Sequence, residues 1–260
     1  NQFSLMFSEC KDNDVIIISS ADRVFGEVRE AKLILSKLRS FNIKLIIVDI
    51  DEDKFGNIYA ASRNNSGNYY VAKFDGTSWS ELGGINSLKA NSVISSICTD
   101  NKGNVYAAGK FTNKTSVDSG FCYVAKFDGN SWSELGGNNL SIFKGEIYTI
   151  HSDKSGNIYV GGGFRNTMGN YYVAKFNGIS WSELGGNNSL KANFYIFSII
   201  SDPSGNIYTA GNFTNGTTNS MGNRYVAKFD GNTWSELGGN NSLQRMASNG
   251  SVKNETTPLL

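Results

Sequence analysis

The feature that most constrains the fold of this chain is a fourfold internal repeat. The phrase "WSELGG" occurs four times and contains every tryptophan of the 260 residues, namely Trp79, Trp132, Trp181 and Trp234. Successive tryptophans are 53, 49 and 53 residues apart, and each unit also contains "GNIY" or "GNVY" followed by "VAKF". A chain that repeats one pattern at this period builds one structural unit several times, and neighbouring units bury each other's surfaces.

Each repeat predicts four short antiparallel strands, A to D. Strand A ends at an Asp three residues before a Gly, as at Asp153 and Gly156, and this spacing is typical of a type I turn. Strand B is "NVYAAGKF" or a relative of it, strand C is "YYVAKF", and a tight turn such as "DGNS" leads into strand D, "SWSELGG". The 29 glycines, two prolines and 12% aromatic residues agree with many short strands and tight turns. We therefore predict an all-β fold.

Strand A carries a pair of isoleucines three residues apart. In a regular strand this spacing puts the two side chains on opposite faces, so we expect both faces of strand A to be covered by neighbouring sheets. The pairs are Ile47 and Ile50, Ile94 and Ile97, Ile147 and Ile150, and Ile196 and Ile199.

The pattern "SGNIYVGGGF…YYVAKFNGISWSELGG" resembles the repeats of bacterial-type β-propeller proteins, broadly akin to the SBBP and kelch-like groups. The resemblance covers about residues 43–239. It implies a β-propeller of four-stranded blades, and we expect Tyr106, Phe127 and Trp132 to fill the space between blades. It does not imply one function, because propellers include lyases, hydrolases, lectins and protein-docking platforms.

Three segments follow from this interpretation. Residues 1–42 are predicted to form a strand, Val15–Ser20, and an amphipathic helix over 23–40 that caps the first blade. Residues 240–260 form a polar tail. The propeller takes 43–239, with blades of about 43–84, 91–137, 144–186 and 193–239.

Four blades leave three alternatives open: a small closed ring, an open arc that self-associates with another copy, or a piece of a longer protein. The segment Ile43–Ile50 could complete a strand–helix–strand unit, but the repeat register assigns it to strand A of the first blade.

The connection between strands B and C is the only one that varies in length. Loops on a rigid frame are common recognition sites, and in an up-and-down blade these loops share a rim with the D-to-A crossovers. The candidate ligand-binding residues on this rim are Asn64, Lys114, Arg165, Asn215 and Asn219.

Strand A offers one catalytic hypothesis. Asp51, Cys98 and His151 occupy equivalent positions and could converge as a nucleophile and base, but Ile200 at the fourth position favours a packing role.

The Asp-x-x-Gly segments lack the alternating acidic ligands of a calcium loop, so we interpret them as turns. We predict no metal and no cofactor. Asn-x-Ser/Thr motifs, as at Asn113, are interpreted as chance matches in an Asn-rich chain.

Cys98 and Cys122 are placed on strands A and C of one blade, roughly 9–10 Å apart. A disulfide needs Cα atoms within about 7 Å, so we predict free thiols.

The net charge is +1, which predicts no nucleic-acid partner, and no apolar run approaches the roughly 20 residues of a membrane span.

These observations favour a noncatalytic scaffold that binds a protein or a glycan through one rim, with an extracellular or surface location. The first alternative is a structural repeat segment of a larger exported or surface protein, and the second is a lyase or hydrolase. An active site needs unique polar residues that converge, and nearly interchangeable blades argue against one.

Overall fold

A computed structural model describes residues 15–18, 44–47, 50–64, 67–75, 77–85, 87–112, 121–136, 143–215 and 224–239. These residues contain eighteen β-strands and no helix, and hence no helix with the length and hydrophobicity to cross a membrane. The fold is all-β, as predicted.

Sixteen strands form four antiparallel sheets, each of four consecutive strands in the order A, B, C, D. The first blade contains β3 (Ile50–Glu52), β4 (Ile58–Arg63), β5 (Tyr69–Phe74) and β6 (Trp79–Glu81). The second contains β7 (Ile94–Thr99), β8 (Val105–Gly109), β9 (Ala125–Phe127) and β10 (Trp132–Glu134). The third contains β11 (Ile147–Ser152), β12 (Ile158–Gly162), β13 (Ala174–Phe176) and β14 (Trp181–Glu183). The fourth contains β15 (Ile196–Ser201), β16 (Ile207–Gly211), β17 (Ala227–Phe229) and β18 (Trp234–Glu236).

The segment before the first blade differs from its prediction. β1 (Val15–Ile18) and β2 (Lys44–Ile47) pair in parallel as a separate two-stranded sheet. Assigning Ile47 to strand A of the first blade is therefore wrong, because the backbone of Lys44–Ile47 pairs with β1 instead of β4. Strand A of the first blade starts at Ile50. The helix predicted over 23–40 and the tail 240–260 lie outside the described residues.

In the second, third and fourth blades the two isoleucines of strand A lie on the same face, not on opposite faces as predicted. In the second blade Ile94 is opposite Gly109 and Ile97 is opposite Ala107, with a register shift between Ile94 and Ser96. The shift is a β-bulge, and its extra residue turns a spacing of three into a spacing of two. The third and fourth blades have the same bulge.

A glycine on strand B makes room for each bulge. A Cβ at Gly162 would lie 2.1 Å from the carbonyl oxygen of Glu146, and one at Gly109 would lie 2.2 Å from that of Val93. The first blade has Ser62 at this position, and its described strand A has no bulge.

Three hydrophobic clusters lie between successive blades. Ile94 and Ile97 pack with Tyr59 and Val71 of the first blade, and the two following interfaces repeat this arrangement. Tyr106 and Phe127 are buried and Trp132 is partly buried between blades, as predicted. Sequence reasoning missed three phenylalanines that follow strand B and are almost completely buried, namely Phe111, Phe164 and Phe213.

Each tryptophan after the first also forms a hydrogen bond between blades. The indole N–H of Trp132 donates to the carbonyl oxygen of Leu82 at 3.1 Å, and Trp181 and Trp234 donate to Leu135 and Leu184 in the same way. The indole N–H of each "WSELGG" phrase after the first therefore donates to the preceding blade. The leucine carbonyl of each phrase before the last accepts a hydrogen bond from the following blade.

Candidate functional site

The acidic A–B turns are saturated with hydrogen bonds. Asp153 Oδ1 accepts the backbone N–H groups of Ser155 and Asn157 at 2.8 and 2.9 Å. Its Oδ2 accepts from Asn157 Nδ2 at 2.7 Å and from the Tyr159 hydroxyl at 2.8 Å. Asp53, Asp100 and Asp202 have the same four donors.

These bonds explain both the turn and its electrostatics. Burial acts to raise the pKa of Asp153, but the hydrogen bonds from Asn157 and Tyr159 outweigh it and leave the pKa below its usual value. Burial and the hydrogen bond to Asp153 raise the pKa of Tyr159. A carboxylate with four internal donors is a structural group, which supports the interpretation of Asp-x-x-Gly as a turn. Within the described residues no cluster of three or more His, Cys, Asp or Glu side chains suits a metal ion.

The four strand A positions of the catalytic hypothesis are equivalent in space. The described hydrogen bond of His151, however, is not the bond to a nucleophile that the hypothesis requires. Asp51, Cys98, His151 and Ile200 all pair with the tyrosine of strand B in their own blade. His151 Nε2 lies 2.8 Å from Ser201 Oγ of the next blade. Burial lowers the pKa of His151, against the opposing effect of Asp153 and Asp51. The described hydrogen bond of His151 thus joins two blades and does not involve Cys98.

Cys98 and Cys122 are buried and form no disulfide, as predicted, and Cys10 lies outside the described residues. Burial raises the pKa of Cys122 to about 11. A thiol with such a high pKa is protonated at neutral pH and is a poor nucleophile.

The B–C loops and the D-to-A crossovers do meet on one rim. Asn193, at the end of the crossover from the third blade, accepts the backbone N–H of Thr214 at 2.9 Å and donates to its hydroxyl at 3.0 Å. Asn91 binds Thr112 in the same way between the first and second blades. These asparagine–threonine pairs tie the variable loops to the constant frame.

Three of the five predicted rim residues lie in the described part of the chain. Asn64 Oδ1 accepts the N–H of Asn68 at 2.9 Å, which shapes its own loop. The Arg165 guanidinium carbon lies 4.6 Å from the ring centre of Tyr171, and Arg165 also donates a hydrogen bond to the Tyr171 hydroxyl. Asn215 donates to Glu236 Oε2 at 3.1 Å. Each residue contacts its own blade, while Lys114 and Asn219 lie outside the described residues.

Asn215 also lines a cleft of about 630 Å³ between the third and fourth blades. The crossover from the third blade provides Lys191, and the fourth blade provides Tyr225, Trp234 and Glu236. The pKa of Tyr225 is raised by burial and by the nearby charge of Glu236. This cleft, here called the rim cleft, combines aromatic rings, a carboxylate, an amide and an ammonium group.

Of the residues that line the rim cleft, the sequence prediction includes only Asn215, and its ligand-binding role stays a prediction. Trp234 and Glu236 belong to the "WSELGG" phrase, which is constant in all four repeats, so length variation does not mark them as candidates. Lys191 has a φ of 52° in the crossover, a conformation that the sequence does not reveal.

A second cleft of about 620 Å³ lies between the second and third blades on the side of the A–B and C–D turns. Its lining includes Lys102, Lys126, Glu134, Asn177 and Ile179. The A–B and C–D turns on this side are constant in length, so length variation in the sequence marks no candidate residue there.

Comparison with known families identifies the repeat. The family model of the Rax2 C-terminal beta propeller domain matches residues 86–249, which is more than half of the chain. The chain belongs to this family. The predicted β-propeller is therefore confirmed, while the closer resemblance to SBBP and kelch-like repeats stays a prediction. No curated protein matches this Rax2-type propeller.

Solved structures similar to the Rax2-type propeller include a fucose lectin from Kordia zhangzhouensis in complex with methyl-fucoside. That lectin has 18% identity and a TM-score of 0.36, over 52% of this chain and 96% of the lectin chain. An ulvan lyase of polysaccharide lyase family 25 has 13% identity and a TM-score of 0.42. The match covers 71% of this chain and 52% of the lyase, so the chain spans about half the length of that enzyme.

Proposed function

We propose that this Rax2-type propeller is a noncatalytic scaffold that binds a glycan through the rim cleft. The observation that carries the proposal is the cleft between the third and fourth blades, where Asn215 lies beside Lys191, Tyr225, Trp234 and Glu236. Ligand sites combine apolar walls with a few placed polar groups, and this cleft has both.

The chemistry of the cleft suits a sugar. A pyranose ring has C–H faces that pack on aromatic rings and hydroxyl groups that need donors and acceptors. The indole N–H of Trp234 already donates to the Leu184 carbonyl oxygen, which holds the ring in place. The ring can therefore contact a sugar by packing, but not by hydrogen bonding. Glu236 supplies an acceptor, whereas Asn215 and Lys191 supply donors.

The cleft is also ordered before a ligand arrives. Asn215 is held by Glu236, and its neighbour Thr214 is held by Asn193. Groups that are already fixed lose less conformational entropy on binding, so a modest contact area can give measurable affinity.

A protein partner is the second candidate, because two apolar side chains project from the same rim. Ile85, in the first crossover, is 88% exposed, and Met168, in the B–C loop of the third blade, is 69% exposed. Exposed apolar side chains beside variable loops are suited to a protein contact.

A glycan array with the whole chain, followed by calorimetry with a binding sugar, tests the proposal. We expect Glu236→Ala and Asn215→Ala to weaken binding at least about tenfold, because each removes a polar group of the cleft. The matched control is Asn166→Ala. Asn166 donates to Glu183 in the third blade at 3.2 Å but does not line the rim cleft, so its loss should leave the affinity unchanged.

Two results would contradict the proposal. One is a sugar that binds equally well to the Glu236→Ala and wild-type chains. The other is an array without any binding sugar, combined with a protein partner whose affinity depends on Ile85 and Met168.

A further inference from the structure

The blades contact one another through two different faces. The leading face of a blade contains the strand A isoleucines, the first residue of strand B, the phenylalanine of "VAKF" and the tryptophan. The trailing face contains the tyrosine of strand B, the valine of "VAKF" and the leucine of "WSELGG". In all three hydrophobic clusters the leading face of one blade packs on the trailing face of the preceding blade.

Within the described residues, no hydrophobic cluster joins the fourth blade to the first. The leading face of the first blade and the trailing face of the fourth blade are thus the two end faces of the array. Both end faces consist of residue types that are buried at the internal interfaces.

The leading end face is visibly less buried than its counterparts. Trp79 is 46% exposed, although the equivalent Trp132, Trp181 and Trp234 all pack into interblade clusters. Ile58 and Phe74 are only partly buried, although the equivalent Ile158 and Phe176 are buried. The sequence is nearly the same in each blade, so the difference reflects the lack of a preceding blade among the residues that the structure describes.

The trailing end face shows the same contrast. Leu237 is 44% exposed, whereas the equivalent Leu184 is 6% exposed. Ile200 is 57% exposed, whereas Cys98 at the same position of the second blade is 7% exposed. Tyr208 is also less buried than the equivalent Tyr159. A contiguous apolar face of this kind is unusual on a protein surface without a partner.

We propose that the two end faces bind each other between copies of this chain, so that the fourth blade of one copy packs on the first blade of the next. The partner that fits each end face is a second copy of this chain. A leading face already packs on a trailing face at the three interfaces between blades within the molecule, and two copies would repeat that contact. Trp79 would then donate to the Leu237 carbonyl as Trp234 donates to Leu184. Leu82 shows that this carbonyl can accept two bonds, one from Ser87 and one from Trp132.

The contact is heterologous, since a leading face meets a trailing face. Such contacts either close into a ring or continue as a filament. Two copies that close give eight blades, which lies within the usual range of four to eight blades for propellers. We therefore expect a dimer. This inference is independent of the rim cleft and does not require a glycan.

Complementation between blocked variants provides the test, with molar mass measured by light scattering and sedimentation under reducing conditions. Trp79→Glu blocks the leading end face and Leu237→Glu blocks the trailing end face. The wild-type chain should form dimers, and a charge in either face should weaken self-association at least about tenfold because it would be buried without a partner. The control Ile179→Glu alters an 82% exposed residue of a C–D turn and should dimerise normally.

Mixing the two blocked variants is the decisive step. Each variant retains one intact end face, so a mixture should form a one-to-one dimer although neither variant dimerises alone. Circular dichroism confirms that each variant is folded, and Ile200→Glu replaces Leu237→Glu if the latter does not fold. A monomeric wild-type chain at all concentrations, or a mixture without heterodimers, would overturn the proposal.

Discussion

At the scale of single residues, the A–B turn depends on one carboxylate. Asp153 binds four donors, two from the backbone and two from side chains. The Tyr159 hydroxyl is directed towards this carboxylate from strand B, so the turn and the sheet are joined through Asp153. Removing the carboxylate leaves polar groups without partners in a partly buried place, which costs more than losing one exposed hydrogen bond.

We expect Asp153→Ala to lower the free energy of unfolding by roughly 1–3 kcal/mol, because Tyr159 and Asn157 lose their acceptor. Urea denaturation monitored by tryptophan fluorescence measures the change. Asp230→Ala is the control, since Asp230 accepts only two backbone N–H groups in an exposed C–D turn and should contribute much less. Equal losses for the two variants would show that the four-donor network has no special role.

The same carboxylates predict the response to acid. The pKa values of Asp53, Asp100, Asp153 and Asp202 are lowered in the folded chain. Their contribution to stability is therefore complete above the unfolded value of about 4 and is lost as the pH falls through the folded values. Unfolding free energies measured from pH 6 to pH 3 should fall steeply below about pH 4. The fall should be shallower in Asp153→Asn, and an identical slope would contradict this assignment.

At the scale of the blade, a bulge and a glycine decide which face strand A presents. The bulge puts Ile147 and Ile150 on one face, towards the second blade. Gly162 lies opposite the bulge, where a Cβ would meet backbone atoms of Glu146 and Ile147 at 2.1 and 2.9 Å. Backbone cannot move aside as a flexible side chain can, so the geometry of the blade depends on this glycine.

We expect Gly162→Ala to destabilise the protein by about 1–3 kcal/mol or more, because the added methyl group must displace strand A. Thermal unfolding measures the loss. Ser62→Ala is the matched control, since Ser62 occupies this position in the first blade and already has a Cβ; its effect should be small. Unchanged stability of Gly162→Ala would mean that the bulge can shift freely.

At the scale of the whole molecule, an array of blades is most stable where each blade has two neighbours. The second and third blades are covered on both faces, whereas the first and fourth each have an end face. In repeat proteins the stability is close to a sum of unit and interface contributions, so the end blades have one interface less.

Amide hydrogen exchange should therefore be slower in Ile158–Gly162 than in the equivalent strands of the end blades, Ile58–Arg63 and Ile207–Gly211. The difference should be large in dilute solution and should shrink at concentrations that favour association, because a second copy covers the end faces. Trp79→Glu should remove this concentration dependence. Uniform protection of all four blades in the monomer would contradict the nearest-neighbour account.

Much of the fold could be predicted because its determinants are local. The spacing of Asp153 and Gly156 specifies a turn, and the short runs of β-forming residues between turns specify strands, so four four-stranded blades could be predicted from the sequence. The rim was also predictable, since loops that vary in length stand out against constant connections. This criterion selects Asn215 but not Lys191, which lies in a crossover of constant length, or Trp234 and Glu236, which occur in all four repeats.

Tertiary structure decided what local patterns leave open. Lys44–Ile47 could extend the first blade or pair with Val15–Ile18, and only long-range hydrogen bonds select the second arrangement. The common face of Ile94 and Ile97 depends on a bulge, which is a property of two paired strands. The rim cleft exists because neighbouring blades meet, and Trp79 is more exposed than Trp234 because no blade precedes it among the described residues. The sequence alone determines what each blade is, whereas burial of its faces depends on what stands beside it.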